Sequence, residues 1–186
     1  MKELSLNILD ITKNSVRANA TEITISLNLG EDGWLELKIV DNGCGMSREM
    51  LENIADPFCT TRKTRNIGMG IPLLKLATEQ TGGHLKITSS TEKGSSGTVV
   101  TAVFDTKSID FMPVGDIVST VCILIAGSPE IDFEFHDISP KHQVSLNTKE
   151  LREVLGNEIS LAEPEIQMWL KEYLKEQYNA TSNYED

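Results

Sequence analysis

Two runs of strict alternation flank a four-residue turn. Glu22-Ile23-Thr24-Ile25-Ser26-Leu27-Asn28-Leu29 carries apolar residues at every second position, and Trp34-Leu35-Glu36-Leu37-Lys38-Ile39-Val40 repeats the pattern after Gly30-Glu31-Asp32-Gly33. A period of two turns one side of a strand to a core and the other to water, so the pair predicts an antiparallel hairpin with one buried face. The second strand then breaks on an acid and a glycine pair, Asp41-Asn42-Gly43-Cys44-Gly45-Met46. Gly43 and Gly45 admit positive φ and let a ligand approach the main chain. The Asp41 carboxylate only accepts hydrogen bonds, which suits a donor such as an exocyclic amine. Taken alone, these residues describe equally well a strand-to-helix turn closed by an Asx hydrogen bond.

The flanking sequence supplies helices. Leu4 to Ala20 is amphipathic: Leu4, Ile8, Ile11 and Ser15 recur at helical spacing and, with Leu9, Thr12, Val16 and Ala18, make a buried side. Asp10, Asn14 and Arg17 are spaced four and three apart and project together. Such a trio suits a magnesium-bound triphosphate, with the acid polarising water, the amide oxygen on the metal and the guanidinium on phosphate. It also suits a solvated stripe with no task. Ser47 to Ile54 reads as a short helix. The basic loop Asp56 to Asn66 then feeds Gly68-Met69-Gly70 and a helix from Ile71 to Gln80. Amides at a helix start, a dipole and nearby cations make an anion cradle, or else an ordinary surface loop. Strands follow at 85–89 and 98–104, joined by the turn 92–97.

Composition narrows the class. No apolar run among the 186 residues approaches a membrane span, and Met1-Lys2-Glu3-Leu4 has no signal-peptide shape. Three scattered cysteines (Cys44, Cys59, Cys122) argue against a disulfide framework or zinc site and point to the cytoplasm. Cys44 within the Gly43–Gly45 turn and Cys59 in the basic loop are either small fillers or redox-sensitive thiols. Residues 1–106 hold 11 Lys and Arg against 13 Asp and Glu, whereas 107–186 hold 6 against 15. A surface that acidic repels phosphate backbones, so nucleic-acid binding is not expected, and a protein partner for the acidic part is.

The order of motifs resembles the GHKL superfamily, the ATP-binding domains of histidine kinases, type II topoisomerases, mismatch-repair ATPases and heat-shock chaperones. Residues 10–18 (DITKNSVRA) look like its N box, 41–46 (DNGCGM) the G1 box, 56–63 (DPFCTTRK) the F box, 66–70 (NIGMG) the G2 box and 94–98 (GSSGT) the G3 turn. The F box and the GMGI run are closest to histidine kinases. The resemblance implies an α+β two-layer sandwich of the Bergerat type, with a mixed, mostly antiparallel sheet and helices on one face, over residues 1–106. It implies ATP and Mg²⁺ as ligands, Asn14 on the metal, Arg17 at phosphate, and Asp41 on the adenine amine. Gly45 would shape the pocket and Thr98 support it. Gly68, Met69 and Gly70 would meet the phosphates, with Lys63 nearby in a lid over 59–70. Ala18, Gly43, Met46 and Phe58 fall in the same motifs and are carried as binding residues. Asp10 stands where mismatch-repair and topoisomerase enzymes carry a Glu base and where histidine kinases often carry Asn. It is the candidate catalytic residue, one methylene short of Glu.

The chain begins at the N box, so the helical hairpin that bears a kinase's phosphoacceptor is not expected, and His84, His136 and His142 read as surface histidines. A stand-alone Mg-ATP-binding enzyme is the favoured expectation, with weak hydrolysis or phosphotransfer to a partner. A non-catalytic, ATP-responsive module acting through lid closure is the alternative. Homodimerisation stays open.

Residues 107–178 are read as a small acidic α+β domain or docking extension. They comprise a helix at 116–126, strands at 131–136 and 143–146, a helix at 149–155 capped by Thr148, and a helix from Pro164 to Gln177. Ile166, Trp169, Leu170 and Tyr173 share a side of that last helix, and 179–186 read as a disordered tail.

Overall fold

A computed structural model describes residues 3–54, 69–156 and 159–182. Alternation sets the first pairing. β1 (Glu22–Leu29) runs antiparallel to β2 (Trp34–Asp41), with Ile25 opposite Ile39 and Leu27 opposite Leu37. These four, with Ile23 and Leu35, are buried on one face. β3 (His84–Ser90) and β4 (Gly97–Asp105) are antiparallel to each other, and β4 pairs with β2 so that Thr98 faces Asp41 across the ladder. β5 (Asp132–Ile138) joins β1 on its other side in parallel, setting Phe135 opposite Ile25, and β6 (Gln143–Asn147) closes the sheet antiparallel to β5. The order is β3-β4-β2-β1-β5-β6. This is the expected mixed, mostly antiparallel sheet, and the strands of the acidic part extend it.

The helices are α1 (Leu4–Arg17), α2 (Arg48–Asn53), α3 (Gly70–Gln80), α4 (Ile117–Gly127), α5 (Thr148–Leu155) and α6 (Pro164–Ser182). α1 packs on β2, α3 and α4, and α6 packs on α4 and β6. Leu4, Ile8 and Ile11, Leu74, Val121 and Ile125, and Leu170 and Leu174 meet the buried strand residues in one core. None of the described helices is long and apolar enough to cross a membrane.

Several local expectations change. α1 stops at Arg17 rather than Ala20, because Asn19 takes a positive φ of 56° and the Ala20 amide turns back to Ser15 O. α6 continues to Ser182, so residues 179–182 are helical, not a frayed tail. Its buried side is Leu170 and Leu174, with Ile166 and Tyr178 half-buried. Trp169 and Tyr173 lie outward and stack on each other at 5.0 Å. Asn147, not Thr148, caps α5 by accepting the Lys149 and Glu150 amides, while Thr148 Oγ1 accepts the Phe133 amide at 2.8 Å. His142 is half-buried in a polar cluster rather than at a plain surface.

The β6 edge is closed by a side chain. Gln177 accepts the Ser145 amide through Oε1 and donates to Ser145 O through Nε2, which occupies backbone groups that would otherwise template another strand.

Candidate functional site

The site is built where α1, the end of β2 and the start of β4 converge. Ser15 is buried on the inner side of α1, and a buried hydroxyl needs a partner. It donates to Asp41 Oδ2 at 2.6 Å, while the Gly43 amide donates to Oδ1 at 2.9 Å. Two donors from opposite directions hold the carboxylate in one orientation. A carboxylate has about four acceptor positions, so Asp41, 9% exposed, keeps capacity beyond these two bonds. Next to it Asn42 is spent on structure, with Oδ1 accepting the Thr21 and Glu22 amides and tying the turn to the start of β1.

The glycine turn is fixed by its neighbours. Gly45 has φ +69°, and a Cβ built there would lie 1.9 Å from Ser90 O. At Gly43 a Cβ would come within 2.8 Å of Ala18 Cβ and O, and the Cys44 amide donates to Ala18 O at 2.9 Å. The G1 turn is therefore clamped between the end of α1 and the end of β3. Ser89 completes the clamp. Its hydroxyl donates to Gly97 O and accepts the Met46 amide, each at 2.8 Å, and it lies 2.9 Å from Thr98 Oγ1. With its single proton on Gly97 O, Ser89 accepts from Thr98. Gly45→Ala is expected to break this clamp, since relief means moving backbone rather than a side chain. The checks are thermal unfolding and nucleotide affinity, with a stability loss of about 2 kcal/mol or more from the left-handed backbone and the clash.

Beside Asp41 lies a cavity of about 190 Å³. Asn14, Arg17, Ala18, Asp41, Gly45, Met46 and Thr98 all border it, with Ile11, Val100 and Ile71 among its apolar walls. Asn14 Oδ1 accepts from Arg17 Nη1 at 3.4 Å, so the amide and guanidinium of α1 sit together on the rim. Gly43 supports the cavity from behind through Asp41. Asp10 does not border it: the side chain is exposed, and its Cβ would meet a Cβ at Gly70 at 3.3 Å. Met69 is the exposed N-cap residue of α3 and Gly70 its buried first residue. Phe58, Lys63, Gly68 and Cys59 lie outside the described residues.

Sequence reasoning missed Ser15 as a site residue by placing it only on the packing side of α1. The signal was a hydroxyl at a core position one residue after Asn14. Ser89 had no sequence signal, since its role exists only once β3 lies beside the G1 turn.

Comparison with known proteins matches residues 2–108 to the model of the histidine kinase-, DNA gyrase B-, and HSP90-like ATPases. Sporulation kinase D of Bacillus subtilis (strain 168) is 33% identical over 97 residues, covering 52% of this chain and 19% of the relative. Sensor histidine kinase ZraS of Escherichia coli (strain K12) is 29% identical over 93 residues, covering 50% and 20%. The chain thus spans about a fifth of the length of these curated relatives. Among solved structures, the Aquifex aeolicus MutL ATPase domain complexed with ADP aligns with a TM-score of 0.55 at 14% identity, over 83% of this chain and 69% of that one. The N-terminal domain of a DNA repair protein also reaches 0.55, at 16% identity over 79% and 52%. At such identities the similarity concerns fold, and a match over 83% of the chain must extend past residue 108. With the family model covering residues 2–108, more than half of the molecule, this chain belongs to the histidine kinase-, DNA gyrase B- and HSP90-like ATPase family.

Proposed function

We propose that the cavity at the end of β2 binds Mg-ATP, and that the chain hydrolyses it slowly or passes its phosphoryl group to a partner protein. The observation that carries this reading is the Asp41 carboxylate, oriented by Ser15 and the Gly43 amide at a cavity bordered by Asn14 and Arg17. The carboxylate would accept the adenine amine, the Asn14 amide oxygen would ligate Mg²⁺, and Arg17 would meet phosphate. Among the described residues no group of three or more His, Cys, Asp or Glu is placed to hold a metal. That suits Mg²⁺, which takes few protein ligands and shares its shell with nucleotide phosphates and water. The metal would neutralise phosphate charge, while this chain's residues orient the nucleotide.

Asp10 is the candidate base. Its exposed position outside the cavity favours the second reading, an ATP-responsive module that binds without turnover. The acidic later part, with 15 Asp and Glu against 6 Lys and Arg, is the surface offered to a basic protein partner. Unpaired Cys44 and Cys122 suit a reducing compartment such as the cytoplasm.

Incubation with γ-labelled ATP and Mg²⁺, following free phosphate and labelled protein, separates the two readings. Slow release that vanishes in Asp10→Asn makes Asp10 the base, whereas binding without release or label selects the module. Asn14→Ala is expected to weaken ATP binding about tenfold in Mg²⁺ and little in its absence. An unchanged Mg²⁺ dependence would remove Asn14 from the metal.

A further inference from the structure

A second cavity opens at the other end of the β1–β2 hairpin. It measures about 450 Å³ against about 190 Å³ beside Asp41. Leu35 on its wall stands six residues from Asp41 along β2, about 20 Å at strand rise. Leu27, Leu29, Leu35, Phe111, Ile117 and Val118 make it chiefly apolar.

One polar cluster, Asp137, Ser139, His142 and Tyr178, converges on this space. Asp137, 8% exposed, accepts the Tyr178 hydroxyl at Oδ2 at 2.6 Å. Burial and the Asp137 charge push the Tyr178 phenol far up, so it remains a donor. His142 Nδ1 lies 3.0 Å from Ser139 Oγ, and its ring meets Tyr178 edge-on at 4.9 Å. His142 Nε2 is 3.0 Å from Asp137 Oδ1 yet out of line for a hydrogen bond, which leaves a buried nitrogen without an aligned partner.

Asp116 at the start of α4 adds a second carboxylate, held below the usual range by its hydrogen bonds with Ser119. No Lys or Arg is among the described lining residues, while Lys171 and Lys175 act on Asp116 from outside the lining. An apolar space with a few convergent polar groups is the ordinary form of a small-molecule site. With Asp137 buried at its polar end and no lysine or arginine among the described lining residues, the space favours a donor-rich cation over an anion.

We propose that this cavity is a second ligand site, which takes a compact apolar amine with its ammonium toward Asp137 and its hydrocarbon or aromatic body between β1 and α4. The site stands apart from the nucleotide cavity and does not depend on it.

The test is an NMR titration of ¹⁵N-labelled protein with 2-phenylethylamine, beside 2-phenylethanol and 3-phenylpropionate as neutral and anionic matches. The amine is expected to shift the Val118, Ser139 and His142 amides saturably, with a Kd of about 1 mM. Asp137→Asn should weaken it about tenfold or more. Because Asp137 also holds Tyr178, Val118→Trp serves as a second variant that fills the cavity and should abolish the shifts. No saturable shift, equal binding of the alcohol or acid, shifts confined to the Asn14–Asp41 end, or wild-type affinity in both variants would each overturn the proposal.

Discussion

Asp41→Asn is expected to leave the fold standing and to weaken ATP binding by about 10- to 100-fold. The substitution keeps the size of the side chain, and an Asn oxygen still accepts the Gly43 amide. The second position becomes an NH₂ group. Ser15, which donates to Asp41 Oδ2 at 2.6 Å, must then rotate and accept. What cannot be repaired is the face toward the nucleotide, where an amine donor would meet an amide donor. Hydrogen bonds to a charged partner contribute about 1.5–3 kcal/mol, and losing one gives the range stated. Equilibrium binding of ATP, read beside the melting temperature, makes the check. Undiminished affinity would remove Asp41 from the adenine contact, and a collapsed melting temperature would show instead that the carboxylate is structural. Ser15→Ala should show a weaker version of the same loss, because it frees the carboxylate without removing it.

Phe104→Ala is expected to cost about 3–5 kcal/mol and lower the melting temperature by roughly 10 °C. Phe104 is fully buried on β4, opposite Leu35 of β2, and packs edge-on against Phe111 with ring centroids 5.9 Å apart. Phe111 precedes α4, so the deletion opens a cavity where the family-matched region meets the later segment. A single cooperative transition at lower temperature is the result that fits one continuous sheet. Two transitions, with the later part released first, would instead show that the region after residue 106 melts as its own unit.

The hairpin was legible because its evidence is local. A side-chain period of two, a short turn and a buried face are all written within twenty residues, and the structure pairs the apolar positions across the strands, Ile25 with Ile39. The candidate nucleotide residues were legible for another reason. Asn14, Asp41 and Gly45 are types with narrow uses, placed in an order that a whole family shares, and each borders the cavity.

The misreadings came from positions where two local readings were equally good and only packing chose between them. Trp169 and Ile166 have the same claim to an apolar helix side, yet α6 lies on α4 and β6 with Leu170 and Leu174 inward, and Trp169 stacks outside with Tyr173. Thr148 and Asn147 are both fair caps. The Phe133 amide on β5 claimed the threonine, and Asn147 took the helix.

By itself, then, the sequence determined the family, the hairpin and the motif residues Asn14, Asp41 and Gly45 that border the cavity beside Asp41, because each rests on short-range spacing or on residue chemistry. The tertiary structure decided the rest. It added β5 in parallel to β1 across more than a hundred residues of chain, set Ser89 behind the G1 turn, left Asp10 outside the cavity, and gathered Asp137, His142 and Tyr178 around the second one. Those are contacts between segments distant in sequence, whose partners are chosen by the free energy of burying a shared face and not by any pattern within one segment.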